Sequence, residues 1–316
     1  MRYFTGVLLA GGGKMKRWGA ILAAALLACT CFAGCSGEDQ DSGKLKVYTS
    51  FYTMWDFAQK VGGDRAEVVN LMNTGGEPHD WEPTGKDIMA LEKADVFIYS
   101  GAGLEQWVDK VLDSLENQDL VVAAASEKVE LIEAGDNHGH DHGAVDPHVW
   151  LSPVSAKTQL EAIAGAFCRA DPDNADYYRE NAARTMREFD RLAEEYRDTL
   201  EPLPNKSIVV AHEAFGYLCR DYGLTQVAAR GFSPDQEPDL GRMKELVDYS
   251  RENRITTIFF EEQTSSKVAQ VIADEIGAQT AVLSTLEALS EEQERGGDDY
   301  FSVMRQNLAA LEKALA

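Results

Sequence analysis

Short apolar runs alternate along this chain with stretches whose apolar positions recur every three or four residues. The strand-like runs are KLKVYTSF (44–51), EVVNLM (67–72), DVFIYS (95–100) and DLVVAA (119–124). After a gap come SIVVAH (207–212), TQVAAR (225–230), ITTIFF (255–260) and TAVLS (280–284). Their β-branched and aromatic residues suit a pleated, half-buried surface. Helical stretches such as GLEQWVDKVLDSLE and DLGRMKELVDYSRENR separate most of them. Alternation of this kind predicts mostly parallel sheets covered by helices, with four strands in each half.

Between the halves lies one much longer periodic segment. Tyr178, Ala182, Thr185, Phe189, Leu192 and Tyr196 step by four and three residues in turn, which places them on one stripe of a helix. Asp173 or Asn174 is expected to cap its start, and Pro202 and Pro204 to stop it. A helix over 174–201 would be roughly 42 Å long at about 1.5 Å per residue. The fold class read from this pattern is α/β: two lobes, each a roughly four-stranded sheet with flanking helices, joined by one long rigid helix.

The N-terminal region has a different character. From Met15 the chain reads MKRWGAILAAALLACTCFAGCSG: a basic start, an apolar core and small residues before cysteine. That is the plan of a secretory signal, too short for a spanning helix. FAGC resembles a bacterial lipobox, with Phe32 departing from the usual leucine and LLAC at Cys29 as a weaker competitor. The expected organisation is an upstream extension (1–14), a lipoprotein signal peptide (15–34) and a lipidated tether (35–43) beginning at Cys35. An N-terminal lobe (44–172), a linker helix (173–203) and a C-terminal lobe (204–316) follow. Cys168 and Cys219 lie in apolar helical runs and are expected to be buried thiols.

Charge narrows the partners. The chain carries 30 basic and 53 acidic side chains. Losing residues 1–34 leaves 26 basic against the same 53, a net charge of −27. Such a surface excludes nucleic acid and raises the local concentration of cations.

Only six histidines occur: His79, His138, His140, His142, His148 and His212. His79 follows the second strand run in a Gly/Pro-punctuated loop, and His212 ends the fifth. In open parallel sheets, ligands bind at the carboxyl ends of strands. His148 stands in VDPHVWLSP. Three neutral imidazoles converging between lobes would suit zinc, with a carboxylate as fourth ligand. His138, His140 and His142 alternate with glycine and aspartate in the segment 135–144. Glycine imposes no fixed shape there, so these three are expected to be an auxiliary, weak metal-catching group.

Taken together, EPHDWEPTGKDI, the His-rich loop, DPHVWLSP, DPDNADYYREN, VVAHEAFGYLCRDYGL, FFEEQTSSKVAQVIADEIGA and DYFSVMRQNL resemble the zinc- and manganese-binding lipoproteins of ABC importers, the cluster A-I or cluster 9 solute-binding family. The match covers essentially the whole mature chain. The resemblance implies two α/β lobes joined by a rigid helix, with the metal between them. Carried across by motif, the metal ligands are His79, His148, His212 and an acid within VLSTLEALSEE, taken as Glu287, with Glu77 as the competing oxygen donor. Glu291 and Glu292 look like a helix start, where the dipole favours acids anyway.

Manganese members generally have a carboxylate where this chain has His212, so Zn2+ is expected rather than Mn2+ or iron. The resemblance also implies a cognate ABC permease, its cytoplasmic ATPase, a lipid anchor on the outer face of the cytoplasmic membrane, and a monomer. Glu287, arriving from the second lobe, is expected to close over the ion with only small lobe motions. The rival class is a zinc hydrolase, but the chain has no HExxH and no GxSxG, so no enzymatic activity is expected. An adhesin or zinc-storage lipoprotein of the same fold is the third alternative.

Overall fold

The computed structural model describes residues 43–72, 76–133, 145–232, 238–261 and 266–316. Cys35 and the segment with His138, His140 and His142 lie outside these residues.

Among the described residues, eight strands form two four-stranded sheets in which every pairing is parallel. The first sheet contains β1 (Leu45–Thr49), β2 (Ala66–Asn70), β3 (Val96–Tyr99) and β4 (Val121–Ala124), in the order β2-β1-β3-β4. The second contains β5 (Ser207–Val210), β6 (Thr225–Ala228), β7 (Thr257–Phe260) and β8 (Gln279–Val282), in the order β6-β5-β7-β8. The two orders are the same, so the lobes repeat one topology although no sequence repeat is evident. In each sheet the strand order reverses beside its first strand, which opens a crevice at the carboxyl ends.

The helices are α1 (Tyr52–Gly62), α2 (Gly85–Leu91), α3 (Val108–Leu112), α4 (Pro153–Ala170) and α5 (Ala175–Leu200) in the first part of the chain. After them come α6 (Gly216–Tyr222), α7 (Leu240–Glu252), α8 (Lys267–Ile276), α9 (Glu291–Gly296) and α10 (Tyr300–Leu315). Local chemistry sets several of their starts. Thr84 and Asp87 form a capping box at α2, Ser290 and Gln293 another at α9, and Ser152 caps α4 with Pro153 in its first turn.

The long helix is α5, with 26 residues. Its buried stripe is Tyr178, Ala182, Thr185, Phe189, Leu192 and Tyr196, the set expected from the spacing, continued by Leu200. Its start differs from expectation. A 3-10 turn over Pro172–Asn174 leads into it, and the Asn174 amide bonds Asp171 Oδ2 at 2.8 Å instead of capping the helix.

The stripe packs on both lobes. Phe189 lies 5.4 Å from Phe57 on α1 and 4.9 Å from Phe301 on α10, ring centre to ring centre. Asn181 donates to Val61 O at 2.9 Å, and the Tyr196 hydroxyl donates to Met304 O at 2.6 Å. One continuous apolar core runs from Leu45 to Leu315 through both sheets, and Lys44–Ala316 forms a single compact unit. The helix is therefore a strut embedded in a shared core. Among the described residues, no helix is long and apolar enough to cross a membrane.

One expected helix is much shorter than its pattern. GLEQWVDKVLDSLE yields only α3, because Gly101, Ala102 and Gly103 all take positive φ and Glu105 folds back. The Glu105 carboxylate accepts from Ser100 N, Gly101 N and the Ser50 hydroxyl at 2.7 to 2.9 Å. A buried acid satisfied by three donors outweighs one more helical turn.

Candidate metal centre

Four side chains from distant parts of the sequence meet between the sheets. His79 stands in the loop after β2, where Asp80 N and Trp81 N both donate to Glu77 O. His148 opens a 3-10 turn over Val149–Leu151, just before α4. His212 lies two residues beyond β5, and Glu287 follows β8. His148, His212 and Glu287 are buried, and the His79 side chain is 11% exposed, which makes it the solvent-side member.

One ligand atom from each of the four lies within 4.8 Å of all the others. His79 Nε2 and His148 Nε2 are 3.2 Å apart, and His148 Nε2 and His212 Nε2 are 3.3 Å apart. Glu287 Oε1 is 3.7 Å from both His79 Nε2 and His148 Nε2. A tetrahedral ion with bonds of about 2.0 to 2.1 Å has ligand-to-ligand edges of roughly 3.3 Å. The two nitrogen-to-nitrogen edges at His148 match that figure, and the two edges to Glu287 Oε1 are about 0.4 Å longer.

Two further carboxylates brace the rings from behind. Asp146 Oδ1 lies 2.9 Å from His148 Nδ1 and also accepts the His148 backbone N–H at 2.9 Å. Glu261 Oε1 lies 2.9 Å from His212 Nδ1. A carboxylate at Nδ1 favours the Nδ1–H tautomer, which leaves the lone pair on Nε2. The two bare Nε2 lone pairs then face each other at 3.3 Å. They repel unless a proton or a cation stands between them.

Burial sets the protonation of the group. It drives His148 well below its ordinary value, with the neighbouring His212 acting in the same direction. Burial raises Glu287 well above the usual carboxylate range, reinforced by the charge of Glu77. Glu287 Oε1 is buried without a hydrogen-bond partner, while Oε2 accepts from the Thr285 hydroxyl at 2.8 Å. Burial likewise pushes Asp146 up to about 7, against the pull of the His148 N–H. His148, a buried nitrogen that protonates poorly, beside a carboxylate oxygen without a hydrogen-bond partner, forms a place where a divalent cation removes desolvation penalties.

The structure brings His79, His148, His212 and Glu287 together, and Glu77 is not in that group. Glu291 and Glu292 lie in the first turn of α9, as expected. The motifs alone give no role to Asp146 or Glu261. A carboxylate two residues before His148 was visible. Glu261 was a weaker signal, an acid directly after an apolar strand run, and its meaning depends on β7 lying beside β5. Both Cys168 and Cys219 are free thiols. Cys219 is buried as expected, whereas Cys168 is half-buried, its thiol donating to Ala175 O at 3.5 Å.

Comparison with known proteins gives the family. The family described as "Zinc-uptake complex component A periplasmic" matches residues 47–314. The high-affinity zinc uptake system protein ZnuA of Bacillus subtilis is 40% identical over 314 residues, 95% of this chain and 98% of that protein. The zinc-binding lipoprotein AdcA of Streptococcus pneumoniae is 39% identical over 91% of this chain, which spans 60% of its length. The crystal structure of the Zn(II)-bound ZnuA-like domain of AdcA superposes with a TM-score of 0.76, covering 86% of this chain and 99% of the domain. The laminin-binding protein Lmb of Streptococcus agalactiae, titled as bifunctional with adhesin and metal transporting activity, is 32% identical with a TM-score of 0.78. It covers 86% of this chain and all of Lmb. The chain belongs to the family of periplasmic zinc-uptake component A proteins.

Proposed function

We propose that this chain is an extracytoplasmic solute-binding protein that captures Zn2+ with His79, His148, His212 and Glu287 and delivers it to an ABC permease. The observation that carries the reading is the cluster itself: three imidazole nitrogens and one carboxylate oxygen within 4.8 Å of one another, three of the four side chains buried, each drawn from a different loop. Three nitrogens and one oxygen suit zinc better than manganese, which prefers more oxygen donors.

In this reading the acidic surface concentrates cations, and His79, the solvent-side ligand, meets the ion first. His148 and His212 present preformed Nε2 lone pairs, and Glu287 supplies one negative charge against the two positive charges of the ion. Occupation of the fourth position by Glu287 leaves no place for an activated water, which favours capture over hydrolysis. Cys35 would anchor the protein on the outer face of the membrane through lipid. The 36–43 tether would leave the monomer free to dock on its permease, whose ATPase drives import. His138, His140 and His142 would catch ions without forming the tight site.

The test is metal analysis and zinc titration of the mature chain, wild type against His212→Ala and against deletion of 137–143. One zinc per chain is expected, lost in His212→Ala and retained on loop deletion. Loss of the tight site on loop deletion would contradict the division of the histidines.

The likeness to Lmb favours one second reading, adhesion to laminin by the same fold. Saturable binding of the mature chain to immobilised laminin would support it, and no binding above an albumin control would remove it.

A further inference from the structure

The oxygen donor of the centre sits on a segment that the first half of the chain holds in place. Five of the eight backbone polar groups from Ser284 to Glu287 are bonded to side chains. Asn307 accepts from Ser284 N and donates to Ser284 O, both at 2.8 Å. Leu286 N donates to the Ser284 hydroxyl oxygen at 3.3 Å.

Two of the remaining carbonyls are bonded from the other lobe. The Trp150 indole N–H donates to Thr285 O at 2.7 Å, and the Thr53 hydroxyl donates to Leu286 O at 2.6 Å. Thr53 is in the first turn of α1, is wholly buried and precedes Leu286 by 233 residues. Trp150 is fixed in turn by the Tyr300 hydroxyl, which donates to its carbonyl at 2.7 Å. The Trp150 ring lies 5.5 Å from the His148 ring, so this one residue touches both a nitrogen ligand and the loop of the oxygen ligand.

Leu286 has φ +55°, in the left-handed region that a leucine rarely adopts. Such a conformation persists only where the surroundings over-determine it, and such residues cluster at functional sites. Here the strained residue directly precedes Glu287, and its own carbonyl is the atom held by Thr53.

We propose that Thr53 and Trp150 are positioning residues for the metal centre: bonding across the lobes, they hold Leu286 in its left-handed conformation and fix Glu287 Oε1 at the fourth corner of the site. The inference rests on the reading of Glu287 as a zinc ligand. It replaces the expectation that Glu287 closes over the ion from the second lobe with a preformed, immobile donor. It also assigns these residues a part in selectivity. A rigid single-oxygen corner suits a four-coordinate ion and disfavours one that needs additional or rearranging oxygen ligands.

The test uses the mature chain stripped of metal, with zinc affinity read by chelator competition and Co2+ as a spectroscopic probe of coordination number. Thr53→Val keeps the shape and removes the donor, whereas Thr53→Ser keeps the donor. Loss of an outer partner of a metal ligand typically weakens binding about 10–100-fold. Thr53→Val is expected to fall in that range, to lose the intense visible absorption of four-coordinate Co2+, and to discriminate less between Zn2+ and Mn2+. Thr53→Ser is expected to recover all three properties. A purely structural role would lower the melting temperature and leave the cobalt spectrum unchanged. Wild-type zinc affinity and cobalt spectrum in folded Thr53→Val would overturn the proposal. If that variant does not fold, Trp150→Phe decides by the same readouts. Glu287→Gln separates the two levels of the argument: if it binds zinc like wild type, the ligand assignment fails. If Glu287→Gln weakens binding and the Thr53 and Trp150 variants do not, only the positioning fails.

Discussion

His148 Nε2 and His212 Nε2 stand 3.3 Å apart, brought together from positions 64 residues apart in the chain, and each ring is braced at Nδ1 by a buried carboxylate 2.9 Å away. The braces come from different lobes, Asp146 from the loop before α4 and Glu261 from the end of β7. Each fixes a tautomer and a ring plane, so the two lone pairs converge before any ion arrives.

Removing a brace should therefore weaken zinc without touching a ligand. Asp146→Asn and Glu261→Gln are each expected to lower zinc affinity about 10–100-fold while leaving one site per chain. Isothermal titration with a competing chelator measures both quantities. Gly216→Ala provides a steric version of the same test, because a methyl group there would overlap Asp146 Oδ2. It is expected to weaken zinc in the same direction as Asp146→Asn.

Phe189, at the middle of α5, packs on rings from both lobes and is wholly buried. Phe189→Ala is expected to cost about 3–5 kcal/mol of stability, the usual range for a fully buried phenylalanine. Because one core spans both sheets, urea unfolding is expected to remain a single transition by near- and far-UV circular dichroism. Two separated transitions would show that the lobes are independent.

Lys60 on α1 bonds Asp56 at 2.8 Å and Asp299, the N-cap of α10, at 2.9 Å. Burial pushes the Asp299 carboxyl up, but the Lys60 ammonium and the Ser302 donors outweigh it and hold it below its ordinary value of 3.8. A depressed carboxyl contributes stability that is present above its ordinary value and is lost as pH falls through the depressed one. Asp299→Asn keeps the cap and is expected to flatten this acid loss below about pH 4. Denaturation midpoints of metal-free protein across the acid range check the slope, and an unchanged slope would remove Asp299 from the account.

The parts of the molecule legible in the sequence are those with a local cause. The stripe from Tyr178 to Tyr196 needed only helical spacing, and strand runs such as DVFIYS needed only residue type. The meeting of His79 and His212 was legible because both follow strands of parallel sheets, whose carboxyl ends open onto the same crevice. The truncation of the helix before Val108 was not, because it depends on Glu105 reaching back to Ser100 and Gly101. Glu261 was not legible because its role arises from the neighbouring of β5 and β7, which the chain separates by 46 residues between Val210 and Thr257. The hold of Thr53 on Leu286 spans 233 residues and has no local signature at either end.

The most direct measurement of the central claim is an anomalous-diffraction crystal structure of the zinc-loaded mature chain at the zinc absorption edge. The account expects one strong peak, about 2.0–2.1 Å from Nε2 of His79, His148 and His212 and about 2.0–2.2 Å from Glu287 Oε1. A peak held by the histidines of 138–142, or an oxygen supplied by Glu77 with Glu287 turned away, would contradict it.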